Sequence, residues 1–204
     1  KVLSAHSLNE AGKFIDEIFW RTYFKGWLES RPHIWMQYCA DVHHLTHELQ
    51  TQSGLRDRWA AACLGETGID CFDAWAKELA ETGYLHNHAR MWFASIWVYT
   101  LQLPWQLGAD FFLRHLLDGD AASNTLSWRW VVGLHSVGKT YLARAENIQR
   151  FTNGRFAPKG LAQVAPSLND TASTMAPKII DPPNPYLEGR KTGLLLHSDD
   201  LNIA

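Results

Sequence analysis

Apolar positions along this chain recur at helical spacing. Phe14, Ile18, Phe19, Tyr23 and Trp27 repeat at helical intervals in a segment that Ser7 and Glu10 open as a capping box and that runs to about Leu28. Pro32 stands where a proline starts a second helix, ending near Leu49. A third is expected over residues 69–81, with Gly83 placed to close it. A fourth covers residues 86–101 and a fifth residues 104–117, closed near Gly119. Asp120 is placed to cap a sixth helix that runs to about Val132. No segment alternates at strand period, and no internal repeat occurs. The expected fold is therefore all-α, a multi-helix domain over residues 1–156. From Ala157 onward Pro166, Pro177, Pro182, Pro183 and Pro185 interrupt any helix. Residues 157–204 are expected to form an irregular Pro-rich tail, either draped over the domain or partly disordered.

Composition changes this picture in three places. The chain has 204 residues, enough for one substantial core, and an ordinary 46% hydrophobic and 20% charged content, but it carries ten tryptophans. Net charge is only −2, yet residues 129–159 hold Arg129, Lys139, Arg144, Arg150, Arg155 and Lys159 against a single acid, Glu146. That stretch is either a solvated loop or a phosphate-facing surface. The cysteines, Cys39, Cys63 and Cys71, are odd in number and lack CxxC spacing, so neither a disulfide framework nor a zinc site is expected, and a reducing cytosol fits. The most apolar run, residues 91–101, is far short of the roughly 20 residues that span a bilayer. No signal peptide is visible, and the expected location is cytoplasmic, or nucleoid-associated in a prokaryote. The chain opens on Lys1 rather than Met, which marks a fragment, a processed product or one piece of a larger protein.

Four constellations carry candidate chemistry. His43 and His47 share a helix face beside His44, but no Cys or carboxylate completes a ligand set in sequence, so exposed histidines and no metal are expected. In "LLDGDAASN", residues 116–124, two acids flank a glycine at a helix junction, and Asp118, Asp120 and Asn124 converge on the free N–H groups of a helix start. Asn87 and Arg90 lie three apart on one helix face. An Arg on so aromatic a helix requires a partner, and Asp118 is the natural one. Trp105, Trp128 and Trp130 form the last set; core packing is the ordinary use of tryptophan, but Trp128 and Trp130, two apart, face different directions on a helix.

These residues resemble the FAD-binding helical domain of the DNA photolyase and cryptochrome family. "TGYLHNHARM" is similar to that family's TG-aromatic-x-HN-x-x-RM, "LLDGDAASN" to its DGD-x-A-x-N, "WRW" to its W-x-W, and "DEIFWR" to its E-x-x-WR helix. The resemblance, over residues 14–141, implies FAD as cofactor. It implies an Arg90–Asp118 pair against the flavin ring, Asp120 as a hydrogen-bond acceptor and Asn124 opposite flavin N5. It also implies a lesion pocket formed by Glu17, Trp20, Asn87, Met91 and Trp130, as in the enzymes that act on cyclobutane pyrimidine dimers. The 6-4 photolyases carry a His-His pair where this chain reads His86-Asn87. Trp128 and Trp105 match the inner and middle members of the family's electron-transfer chain. The usual outermost position reads Gln52, and Trp59 is the nearest replacement. Damaged DNA is the implied partner, with Lys139, Arg144 and Arg150 on its phosphates.

In that family an upstream α/β domain holds an antenna chromophore, and a Thr/Ser-rich segment binds the FAD diphosphate. Neither pattern occurs here, which implies an upstream antenna domain or partner chain. The segment after WRW departs from the family's Ser-Thr-Gly and Asn-Pro pattern but keeps Tyr141. The expected activity is light-driven, FAD-dependent repair of cyclobutane pyrimidine dimers, a lyase reaction. Two other readings stand beside it: a blue-light receptor of cryptochrome type without repair, and a flavin-free remnant acting as a structural or partner-binding module.

Overall fold

The computed structural model describes residues 2–136, 138–170, 172 and 175–179. Among them the order is α1 (Val2–Ala5), α2 (Leu8–Glu29), α3 (Pro32–Thr51), α4 (Ser53–Leu64), α5 (Asp70–Thr82), α6 (Asn87–Ser95), a π-helical turn (Ile96–Thr100), α7 (Trp105–His115), α8 (Ala121–Val131) and α9 (Ala145–Phe151). No strand occurs among the described residues, so the fold is all-α as expected.

Local chemistry sets most of the boundaries. The Ser7 hydroxyl accepts from the Glu10 amide at 3.3 Å, and the Glu10 carboxylate accepts from the Ser7 amide at 3.0 Å, a complete capping box. Gly83 ends α5 in the left-handed region at φ 69°. A Cβ there would lie 2.6 Å from the Leu117 side chain, so glycine both turns the chain and admits the 115–117 segment, whose Leu117 amide donates to the Gly83 carbonyl at 2.9 Å.

Three helices lay outside the sequence reading: the 4-residue α1, α4 and α9. α4 starts on Ser53-Gly54, residues that read as a turn, although Leu55, Trp59 and Cys63 recur four apart within it. α9 spans 7 residues, too few to show a period. The fourth expected helix is also not uniform: after Ser95 the chain widens into the π turn, closed by the Leu101 amide donating to the Ile96 carbonyl at 2.9 Å.

The main core is an aromatic stack between α5, α6 and α7. Phe72 and Phe93 stack at 4.1 Å between ring centroids, Phe93 meets Phe112 at 5.0 Å, and Trp97 stands edge to face with Trp128 at 6.3 Å. A smaller cluster joins Ile34, Leu126 and Ala172 to Phe24, Trp27 and Leu28.

The described part of the tail is draped over the helices. The Ala162 amide donates to Thr100 Oγ1 at 3.1 Å, the Leu168 amide to the Val132 carbonyl at 3.1 Å, and Thr140 Oγ1 to the Ala165 carbonyl at 2.8 Å. Leu161 enters the core. Pro182, Pro183 and Pro185 lie outside the described residues.

Candidate functional site

The aromatic stripe that marks α2 as a helix is not its core face. Phe14, Ile18, Trp20 and Tyr23 are all exposed, and all four line a cavity of about 1270 Å³. The opposite wall comes from the start of α6, the turn before α8, and α8 itself. Two sets of sequence-predicted residues meet there. Arg90, Asp118, Asp120, Asn124 and Trp128, expected around a flavin, and Glu17, Trp20, Asn87, Met91 and Trp130, expected around a lesion, all line this one cavity. Trp105, Trp59, Lys139, Arg144 and Arg150 lie outside this wall.

Arg90 and Asp118 pair as the sequence required. Arg90 Nη1 donates to Asp118 Oδ2 at 3.1 Å and Nη2 to Oδ1 at 3.0 Å, a bidentate geometry, while its Nε donates to the Leu85 carbonyl at 2.7 Å. The pair is not sealed from solvent: the side chains are 24% and 51% exposed. Arg21 Nη2 donates to the Asp118 carbonyl at 3.1 Å and so ties α2 to the same turn.

Asp120 caps α8, accepting from the Ser123 amide at 2.8 Å through one oxygen and from Lys25 Nζ at 3.1 Å through the other. Burial pulls its carboxyl upward, but the bonds from Ser123 and Lys25 outweigh that and hold it below its ordinary value. Asn124, one turn into α8, is buried, and its Nδ2 donates to the Ala109 carbonyl at 2.8 Å, which orients the amide on the cavity wall.

The tryptophans divide by environment. Trp128 is buried against Trp97 and Phe112. α7 makes room for it at Gly108, where a Cβ would stand 2.3 Å from the ring. Trp20 and Trp130 keep 55% and 37% of their surface. Trp130 leans on Tyr141 at 5.7 Å. Trp105 is buried and stacks on Tyr38 at 5.6 Å, with the Arg129 guanidinium 5.9 Å from its ring. Trp59 packs on the core from α4, half-buried.

One member of the basic stretch is misplaced by sequence alone. Arg129 is only 2% exposed and pairs with Asp170 at 2.6 Å, so it anchors the tail to α8 and presents no charge to a phosphate. Lys139, Arg144, Arg150, Arg155 and Lys159 are exposed. Arg144 borders a shallow cleft next to Tyr141, the ring that carries Trp130.

Among the described residues no cluster of His, Cys, Asp or Glu could hold a metal, and His43, His44 and His47 form none. Burial pushes the Cys63 and Cys71 thiols up to about 12, away from reactive thiolate chemistry. No described helix is long and apolar enough to cross a membrane.

Several wall residues escaped the sequence reading. Arg21 and Lys25 continue from Glu17 at intervals of four on α2, a charged stripe beside the aromatic one that pointed to both. Trp128 Nε1 and His135 Nδ1 belong to wall residues, are buried, and have no hydrogen-bond partner among the described residues. Buried polar atoms left so are costly unless a ligand meets them. His135 stands among Trp27, Phe24 and Tyr23, at 4.8, 5.8 and 6.2 Å between rings. Burial, with Arg129 and Arg31 nearby, lowers its pKa.

Residues 14–171 match the family described as the FAD binding domain of DNA photolyase. Curated relatives agree. A deoxyribodipyrimidine photo-lyase of Buchnera aphidicola is 30% identical over 138 residues, 67% of this chain and 28% of the relative. One from Streptomyces griseus is 36% identical over 121 residues, 59% and 25% of the two chains. The mitochondrial enzyme of Saccharomyces cerevisiae is 32% identical over 115 residues, 56% and 20% of the two. The chain thus spans about a quarter of the length of these relatives.

Proposed function

The chain belongs to the FAD-binding domain family of DNA photolyases, and from that premise we propose that the protein repairs cyclobutane pyrimidine dimers in DNA in a light-driven reaction. One observation carries the reading: a single cavity is lined both by the Arg90–Asp118 pair, Asp120 and Asn124 and by Glu17, Trp20, Asn87, Met91 and Trp130. The fit to a flavin rests on the unpartnered Trp128 and His135 ring nitrogens at this wall, and on the α8 N-terminus beside Asp118 and Asp120.

Bound FAD, reduced and excited by blue light, supplies the electron that opens the dimer and receives it back. The chain's residues bind and orient. Arg90 and Asp118 would hold the flavin ring; Asp120, already fixed by Lys25 and Ser123, would offer an acceptor; Asn124, its amide oriented by the Ala109 carbonyl, would lie on the flavin's polar edge. Glu17 and Asn87 suit the polar edge of a flipped pyrimidine pair, and Trp20, Met91 and Trp130 its apolar faces. Lys139, Arg144 and Arg150 contact phosphates without reading sequence. Trp128 lies at the wall as the inner donor that recharges an oxidised flavin, with Trp105 behind it.

An absorption spectrum followed by an oligonucleotide assay tests this. The protein is expected to show flavin bands and, once reduced, to split a thymine dimer only under blue light. Flavin bands without repair favour a cryptochrome-type receptor instead, and a spectrum without them favours the flavin-free module.

A further inference from the structure

Behind the cavity, a second aromatic path runs outward from Trp105. Its ring stacks on Tyr38 of α3 at 5.6 Å and 26°, and Tyr38 packs on Trp35 at 5.3 Å and 34°. Trp105 and Tyr38 are buried, whereas Trp35 reaches the surface in part. The path is braced. Asp41 accepts from Gln37 at 2.6 Å and from Gln106 of α7 at 2.9 Å, which pins the Tyr38 turn of α3 to the helix that carries Trp105.

On the photolyase-type reading above, we infer that Trp35, reached from Trp105 across the ring of Tyr38, is the outermost electron donor of this protein. Electron tunnelling falls steeply with separation, so rings in contact exchange an electron far faster than rings held apart. Among the described residues Trp59 has no ring–ring contact, and Gln52, exposed at the end of α3, has no oxidisable ring. Trp105 and Trp128 are linked through Trp97, whose ring meets Trp128 at 6.3 Å and whose N–H donates to the Pro104 carbonyl, next to Trp105, at 2.9 Å.

The electron count is simple. Trp128 would give up one electron to an oxidised flavin held in the cavity under light, and Trp105 would refill Trp128. One electron then passes from Trp35 to Trp105. Trp105 is restored, and Trp35 is left as a cation radical that loses its indole proton to water. No bond to carbon forms or breaks. The Asp41 carboxylate, one helical turn from Tyr38, favours positive charge at the outer end of the path.

Tyr38 bridges without holding the charge. A phenol that loses an electron must also release its proton, and Tyr38 Oη is buried with no partner among the described residues. The ring alone is therefore what matters.

The test uses full-length protein loaded with FAD, flashed with blue light in the oxidised state without added reductant. Trp35→Phe and Tyr38→Leu should each slow flavin bleaching by an order of magnitude or more. Tyr38→Phe and Trp59→Phe should keep the parent rate. A second readout follows the tryptophan rather than the flavin: illumination under isotopically heavy oxygen, then peptide mass mapping, should place label on Trp35 in the parent, where oxygen traps the Trp35 radical, and remove it in Trp128→Phe. Parent-rate bleaching in Trp35→Phe, loss of bleaching in Tyr38→Phe, or label on Trp59 overturns the path through Trp35. A parent without flavin bands overturns the functional reading, and the path falls with it. Flavin bands together with normal bleaching in Trp128→Phe overturn the entry point at Trp128 and thus the path, while leaving flavin binding intact.

Discussion

Trp97 and Trp128 touch each other edge to face, yet the two indoles are bonded differently. On the core side, the Trp97 N–H reaches the Pro104 carbonyl at 2.9 Å and the Trp92 N–H reaches Asn147 Oδ1 at 3.1 Å. On the cavity side, the Trp128 N–H has no partner among the described residues, and Trp20 and Trp130 remain exposed. A core built for stability satisfies its polar atoms and covers its rings. The cavity wall departs from that at Trp128 Nε1 and at the open Trp20 and Trp130 rings.

The sharpest way to break this comparison is to truncate one indole of each kind. Trp97→Ala should cost about 3–5 kcal/mol, since it empties a fully buried site. Urea unfolding measures it, and a loss near zero would erase the difference between the two sides.

Between the sides stands Gly108, with no room for a methyl group beside Trp128 and Trp97. Gly108→Ala should destabilise by about 1–3 kcal/mol through overpacking and should shift tryptophan fluorescence. An unchanged emission spectrum would mean that the Trp128 seat is loose.

Trp130→Ala should barely move stability, because the ring is partly open. It should weaken dimer-containing DNA by about 1–3 kcal/mol, the usual value of stacking on a base, and undamaged DNA much less. Neutralising Lys139, Arg144 and Arg150 together should weaken both DNAs alike and flatten the salt dependence. Affinities at two salt concentrations separate the effects. Equal losses from Trp130→Ala would remove it from the lesion pocket.

Asp118→Ala is a smaller perturbation of the fold. Its carboxylate is half exposed, so the lost pair should cost about 1 kcal/mol or less, while flavin retention after gel filtration should fall clearly. A large drop in melting temperature with full flavin retention would make the pair structural.

The gentlest test is pH. The native His135 pKa is depressed, so the unfolded chain binds more protons than the native one as pH falls below the ordinary value of about 6.5. Stability from neutral His135 is present above that value and is lost as pH drops through the lowered one. Melting curves from neutral to mildly acidic pH should show that decline, and His135→Phe should blunt it.

Much of the site was legible in sequence because its contacts are short-range or written in motifs. Asp120 capping α8 depends on residues three apart, and the Arg90–Asp118 pair follows from the cost of an unpaired cation on an aromatic helix. Other features were not. Arg129 reads as one more surface cation until Asp170, 41 residues away, is seen against it. α4 hides behind a Ser-Gly start, and the π turn leaves the apolar pattern of its helix unchanged.

The capped start of α2, the glycine end of α5 and the Asp120 cap of α8 were determined by sequence alone, since each depends on spacing along one chain and on which groups need partners. Which face of α2 meets a cavity rather than a core was decided only by tertiary structure. Its aromatic stripe has the same period in either setting, and nothing in the period says what lies opposite. The same holds for Trp105. Its stack on Tyr38 comes from helices packed across the domain, where a ring's neighbours are chosen by shape and distance rather than by order in the chain.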